Sequence, residues 1–172
     1  MEKDIQISRL DSFIRRMTAQ RDIINFVIAE VVEIDGPVLE LGLGNGRTYD
    51  HLRENLPGKE IFVFDRAINA NPRSVPDGEH MILGEIRDTL AFCRPRIKRQ
   101  ASLVHCDIGS GDPTTDLATC SWISPLIGPL TTKGGIVASG LTFELPEFEE
   151  IPLPEGVQKG RYYLYRKITE TN

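Results

Sequence analysis

Apolar residues along the chain follow two different periods. Leu10, Phe13, Ile14, Met17, Ile24, Val27, Ile28 and Val31 recur at three- and four-residue spacing, which predicts helix. Ser8 followed three residues later by Asp11 resembles a capping box at its start. The polar pair Gln20 and Arg21 interrupts the apolar seam, so either one long helix or two joined near Thr18–Asp22 is expected. From Gly36 onward, apolar runs of strand length appear at Pro37–Leu41, Glu60–Phe64, His80–Leu83, Ala101–Cys106 and Gly135–Ser139. Between them lie helical candidates Arg47–Asn55 and Ile86–Cys93, a segment broken by prolines, and a stretch before Gly135 whose helical pattern is the weakest. Strands that alternate with crossover segments and are nearly continuous in apolar residues predict a parallel sheet buried on both faces. Glu147–Pro152 and Tyr162–Ile168 read as two final strands, the second alternating like a strand with one wetter face.

A length of 172 residues fits one domain, with residues 1–35 as an N-terminal helical segment and 36–172 as an α/β core. The net charge of −5 disfavours a broad grip on nucleic-acid phosphates or anionic lipid, so a small or neutral substrate fits better. Cys93, Cys106 and Cys120 are odd in number and widely spaced, which suggests neither a disulfide framework nor a zinc site and points to a reducing cytoplasm. Their simplest reading is as buried free thiols. Met1–Asp4 is charged where a signal peptide needs an apolar core. The longest charge-free run, Leu117–Thr132, holds Pro125 and Pro129 and is shorter than the roughly 20 residues of a membrane span, so no membrane partner is expected.

The segment richest in chemistry is Pro37-Val-Leu-Glu-Leu-Gly-Leu-Gly-Asn-Gly-Arg-Thr-Tyr, with Gly42, Gly44 and Gly46 between a strand and a helix. Lacking Cβ atoms, these residues let the backbone turn sharply and approach a ligand, while the helix that follows offers unpaired N–H groups. Nineteen residues beyond Gly46, at the end of the second strand, Asp65 is placed to accept hydrogen bonds from ribose hydroxyls. Strand, glycine triplet, helix, strand and acid in this order point to an adenosine-containing ligand. A dinucleotide fingerprint would put glycine where Arg47 stands; the pattern present is Glu40-x-Gly42-x-Gly44-x-Gly46.

That pattern resembles motif I of the class I S-adenosylmethionine-dependent methyltransferases, and the order of elements extends the resemblance over roughly Pro37 to Ile168. It implies a Rossmann-like, seven-stranded, mostly parallel sheet with its last strand antiparallel and helices on both faces. It also implies S-adenosyl-L-methionine as cofactor. By resemblance Glu40 lies near the methionine end, Gly42, Gly44 and Gly46 pass beneath the cofactor, and Asp65 holds the ribose. Gly84, Glu85 and Ile86 occupy the position of the adenine contact, although Glu85 reads equally well as an acid favouring the start of the next helix. Asp107, at the end of the fourth strand, points into the crevice where ligands bind and is the candidate general base; a cofactor contact or a structural cap is the alternative.

The remaining residues narrow the chemistry. His105, inside an apolar strand, reads as a hydrogen-bonded core residue. The strand-four end lacks the Asp/Asn-Pro-Pro-aromatic signature of amine methylation, and Ala138-Ser139-Gly140 lacks the Asp-Asn pair of the metal-dependent catechol enzymes, so no metal is predicted. Tyr163 and Lys167 have the spacing of a short-chain dehydrogenase pair. In a strand, however, four residues span about 13 Å, too far to act on one atom. Arg94–Arg99 reads as a solvated helix end, and Arg15, Arg16 and Arg21 as a solvated face or as partners of a carboxylate. The segment after strand five is short and rich in proline for the family's usual helix. Ile23–Val32 is apolar enough to pack against a second subunit.

The expected function is methyl transfer to a small molecule by alignment of acceptor and cofactor. The alternatives are a cofactor-binding sensor or assembly protein and, at lower weight, a nicotinamide-dependent oxidoreductase. An enzyme requires an open pocket bounded by the first helix, Asp107 and the loop after Ser139; in a sensor, side chains such as Trp122 or Phe143 would fill that route.

Overall fold

Alternation along each strand divides the side chains between two helical layers. In the computed structural model, which describes residues 7–170, helix α1 (Arg9–Val31) leads into strand β1 (Val38–Leu41), helix α2 (Arg47–Asn55) and strand β2 (Ile61–Asp65). A short 3₁₀ turn (Pro72–Ser74), β3 (Met81–Leu83), α3 (Ile86–Ala91), α4 (Arg94–Ile97) and β4 (Ala101–Cys106) follow. The chain closes with α5 (Pro113–Leu130), β5 (Thr131–Ser139), β6 (Phe148–Glu150) and β7 (Tyr163–Lys167). The seven strands lie in the order β3-β2-β1-β4-β5-β7-β6. β1 to β5 are parallel, and β7 runs antiparallel to both of its neighbours. The sheet topology is therefore the Rossmann-like one implied by the resemblance.

Val38, Val63, Leu103 and Ile136 project onto α1 and α2, packing with Ile23, Ile24, Val27, Val31 and Leu52. Leu39, Phe64, Val104 and Val137 project onto the opposite layer, against Leu90, Ile97, Ile123 and Ile127. Each of these buried apolar side chains contributes about 1.5–3 kcal/mol by leaving water. The apolar stretch Ile23–Val32, expected as a surface for a second subunit, is mostly absorbed in this protomer's own core: Ile23, Ile24, Val27 and Val31 are buried, and Val32 is exposed. The exposed apolar residues of α1 are instead Leu10, Phe13 and Ile14.

The first helix is continuous through Gln20 and Arg21. Ser8 caps it, accepting from the Asp11 N–H and donating to the Asp11 carboxylate. The helix expected over Ile86–Cys93 ends at Ala91, and Pro95, near the first position of a new turn, starts α4. Arg94 and Arg96 are exposed, as a solvated helix end would be, yet both are engaged. The Arg94 guanidinium donates to the Pro129 carbonyl, and that of Arg96 donates to Gly78 and Glu79 carbonyls. Residues 140–147 form turns and no helix, as expected for the segment after strand five. The charged Met1–Asp4 lies outside the described residues, among which no helix is long and apolar enough to cross a membrane.

Helix α5 keeps two prolines, which cannot donate to the carbonyls four residues before them. Its C-terminal carbonyls are met from elsewhere in the chain. Arg94 and Gln100 donate to Pro129, Thr131 Oγ donates to Ile127, and Lys167 Nζ donates to Gly128 and Thr131 at 2.9 and 2.8 Å. Lys167 is buried, and desolvation lowers its pKa. It is therefore a core cap on β7, with Tyr163 four residues away on the same strand. Lys167→Met should cost about 1–3 kcal/mol, because two carbonyls at the buried helix end lose a donor. A lowered denaturation midpoint at unchanged m-value would record it; an unchanged midpoint would refute this role.

Candidate functional site

The site forms at the carboxyl ends of β1, β4 and β5, where the parallel strands deliver their following loops. At the end of β1 the backbone turns through Gly42, whose φ is +93° and whose N–H donates to the Phe64 carbonyl. A Cβ on Gly42 would lie 2.9 Å from Ile108 Cγ2 and 3.1 Å from the Asp107 carbonyl oxygen, so the turn must be bare to pass the end of β4. At Gly46, with φ +84°, a Cβ would meet Ser74 at 2.6 Å. Gly44 is different: nothing stands within 4 Å of its Cβ position, and the residue lines a cavity of about 620 Å³. The turn is thus packed on the protein side and open on the other, the form a backbone cradle for a ligand requires.

Asp65 holds this turn in shape. Its Oδ2 accepts from the Leu43 and Gly44 N–H groups at 2.8 and 3.3 Å, and its Oδ1 accepts from the Ala67 N–H at 3.3 Å. A carboxylate has about four acceptor positions, so capacity remains for a donor from a ligand. Gly84, at the end of β3, donates its N–H to the Asp65 carbonyl. Glu85 is exposed at the position before α3, makes no side-chain capping bond and stands 3.9 Å from Arg66. Ile86 is half-buried against the α3–α5 layer. Asp65, Gly84, Glu85 and Ile86 lie outside the lining of the cavity above Gly44.

Glu40 is wholly buried beneath the turn, so it acts on the site through neighbours. Thr48, at the start of α2 and in the cavity wall, donates to Glu40 Oε1. On the other side Glu40 Oε2 and His105 Nδ1 are 2.7 Å apart. Glu40 and His105 are register partners on β1 and β4, both on the α1–α2 face. Two polar side chains buried in neighbouring apolar strands stabilise the fold only by bonding each other. His105 Nε2 meets the Tyr162 hydroxyl at 3.1 Å, and the two rings are stacked. Gln20 Nε2 donates to that hydroxyl at 3.0 Å and to Asp107 Oδ2 at 2.8 Å. One chain of contacts therefore runs from Thr48 under the glycine turn to Asp107 in the cavity.

Burial tends to lower the His105 pKa, but the Glu40 carboxylate, by charge and by hydrogen bond, outweighs it and raises the pKa. Burial also pushes the Tyr162 hydroxyl strongly up, so it stays protonated. The same cause lifts the Cys106 thiol to about 12 and excludes a thiolate there. Cys93 is buried too, whereas Cys120 is only half-buried, short of the full burial expected of all three thiols.

The cavity is bounded by Arg16, Met17 and Gln20 of α1, by the glycine turn, by Asp107, by Gly140 after β5 and by residues 158–162 before β7. Trp122 and Phe143, expected as possible plugs, pack in the α5 layer across the sheet. Gln20, Thr48, Tyr162 and Arg161 join the site although only the turn and Asp107 stand out in the sequence. Glu40 is the single polar residue of β1, while His105 shares β4 with the smaller polar Ser102. Gln20 and Tyr162 stand 142 positions apart, and no local pattern marks them. Among the described residues, no group of three or more His, Cys, Asp or Glu side chains is placed to hold a metal ion.

Residues 7–167 match the S-adenosyl-L-methionine methyltransferase family Methyltransf_17. This chain belongs to that family. It is similar to an S-adenosyl-L-methionine methyl transferase from Silicibacter pomeroyi, at 44% identity and TM-score 0.86, over 94% of this chain and 99% of that one. More distant likenesses, which bear on fold alone, include a TDP-rhamnose 3′-O-methyltransferase of calicheamicin biosynthesis (17% identity, TM-score 0.55, 92% and 80% covered). The Methanococcus jannaschii fibrillarin pre-rRNA processing protein is another (14%, TM-score 0.52, 81% and 69%). Among curated proteins the sequence has no match. The cofactor that defines the family is S-adenosyl-L-methionine, and the open cradle at Gly44 fits it.

The raised His105 pKa gives the methyltransferase a signed pH dependence. A folded value above the unfolded one, about 6.5, means that the protonated pair stabilises fully below that pH and is lost as pH rises through the folded value. The stability gap between the protein and a Glu40→Gln/His105→Asn double variant, which lacks the His105 imidazole and its carboxylate partner, should narrow above about pH 6.5. Denaturation midpoints between about pH 6 and 9 measure it, and a constant gap would contradict the assignment.

Proposed function

We propose that this protein transfers a methyl group from S-adenosyl-L-methionine to a small-molecule acceptor bound in the cavity between α1, Asp107 and residues 158–162. The observation that carries this reading is the open space leading from the bare turn at Gly44 to Asp107, with no bulky side chain across it. The cofactor's sulfonium supplies an activated methyl group. What is left to the chain is alignment and the exclusion of water. The glycine turn holds the cofactor, and Asp65 receives the ribose hydroxyls while bracing the turn. Gly84, Glu85 and Ile86 flank the adenine. Glu40 is a positioning residue that fixes Thr48 and His105. Asp107, exposed and held by Gln20, is the group able to accept a proton from a hydroxyl acceptor. Its carboxylate is already oriented toward the cavity by that bond.

A sensor that binds the cofactor without turnover has less support, since Trp122 and Phe143 lie across the sheet from the cavity. The proposed setting is the cytoplasm, consistent with three free cysteines. Association of two copies would use the exposed Leu10, Phe13 and Ile14 of α1 in place of the buried Ile23, Ile24, Val27 and Val31.

Calorimetry should detect S-adenosylhomocysteine and no NADH. Asp65→Ala should weaken S-adenosylhomocysteine by about 1–3 kcal/mol, through the lost ribose acceptor and a loosened turn. Binding of NADH without S-adenosylhomocysteine would overturn the assignment, and unchanged affinity in the variant would remove Asp65 from the site.

A further inference from the structure

Positive charge is unevenly distributed over this acidic chain. Four arginines elsewhere have acidic partners: Arg21 with Asp22, Arg53 with Asp50, Arg66 with Glu85 and Arg166 with Glu30. Arg94 and Arg96 are bonded to carbonyls. Arg16, Arg47, Lys159 and Arg161 all line the cavity above Gly44, and among the described residues none of the four takes part in an ion pair. Arg16 and Arg47 share the Phe13 ring, their guanidinium carbons 5.6 and 5.8 Å from its centroid. Among the described residues, Asp107 is the one carboxylate in the lining. Four cations against one anion leave three positive charges in a cavity whose protein has a net charge of −5.

The cofactor alone does not account for this excess. S-adenosyl-L-methionine carries a carboxylate, an ammonium and a sulfonium, so it brings one negative and two positive charges. Its carboxylate satisfies one of the four cations, while its net positive charge is repelled by the others. Cations gathered in a partly enclosed cleft raise the local concentration of an anion and strengthen its binding. We infer that the methyl acceptor carries an oxyanion, a carboxylate or a phosphate, held chiefly by Lys159 and Arg161 in the segment before β7 with Arg16 facing them from α1. This rests on the cavity being the acceptor site of the proposed methyltransferase. The anion also offsets the positive charge of the cofactor, so the two ligands favour each other's binding.

The test is calorimetry with inorganic phosphate and with glutarate, each titrated into the protein saturated with S-adenosylhomocysteine and into the ligand-free protein. One or both oxyanions should bind the saturated protein, and Lys159→Gln/Arg161→Gln should weaken that binding at least tenfold. The affinity for S-adenosylhomocysteine in the same variant should stay within about threefold, since one carboxylate contact has other cations to use. Phosphate alone would identify a phosphorylated acceptor and glutarate alone a carboxylate. Absence of binding by both at millimolar concentration, or equal binding by protein and variant, overturns the inference. Should the double variant fail to fold, Arg16→Gln carries the same expectation of weakened oxyanion binding. Failure of S-adenosylhomocysteine to bind would strike the functional reading instead, and the ligand-free titrations would still decide whether the cavity takes an oxyanion.

Discussion

The buried Glu40–His105 pair is the constraint from which the rest of the site is organised. A carboxylate and an imidazole at zero exposure in the two central strands leave little freedom: each must face the other, and their outer atoms must find further partners. Those partners are Thr48 at the start of α2 and Tyr162 at the entry to β7, with Gln20 of α1 completing the chain to Asp107. Four segments far apart in sequence are thereby set around one cavity. Breaking a buried pair by removing one member typically costs about 3–5 kcal/mol, a large share of a small domain's stability, so site geometry and fold stability are tied together here.

The glycine turn is fixed from the opposite side. Asp65 accepts its amide donors, and Gly42 and Gly46 press against Asp107–Ile108 and Ser74, leaving Gly44 as the part that faces open space. A preshaped cradle of this sort loses little entropy when a ligand arrives. The loop before β7 and the first half of α1 bring cations to a cavity whose floor is neutralised internally by the Glu40–His105 pair. The charges that face a ligand are therefore those of Arg16, Arg47, Asp107, Lys159 and Arg161.

Much of this fold is written in local patterns. Nearly continuous apolar runs of strand length locate the five parallel strands, and the glycine turn and Asp65 mark where a ligand is held, because those features obey short-range rules. Other features depend on distant residues. Helix α5 looks doubtful with two prolines, and the donors that meet its last carbonyls come from Arg94, Gln100 and Lys167, all distant in sequence. The continuity of α1 through Gln20 likewise involves distant partners, since that side chain bonds Asp107 and Tyr162. Ile23–Val32 reads as a free apolar face only until the sheet is placed against it. Tyr162, Gln20 and Arg161 become site residues through topology, with no signature of their own.

A crystal structure of the complex with S-adenosylhomocysteine addresses the central claim most directly. The account predicts the sulfur opening into the cavity bounded by Gln20, Asp107 and Tyr162, the ribose at Asp65, and the Glu40–His105 contact intact beneath the turn. A sulfur sealed from that cavity, or a Glu40 carboxylate that has left His105 to reach the ligand, would contradict it.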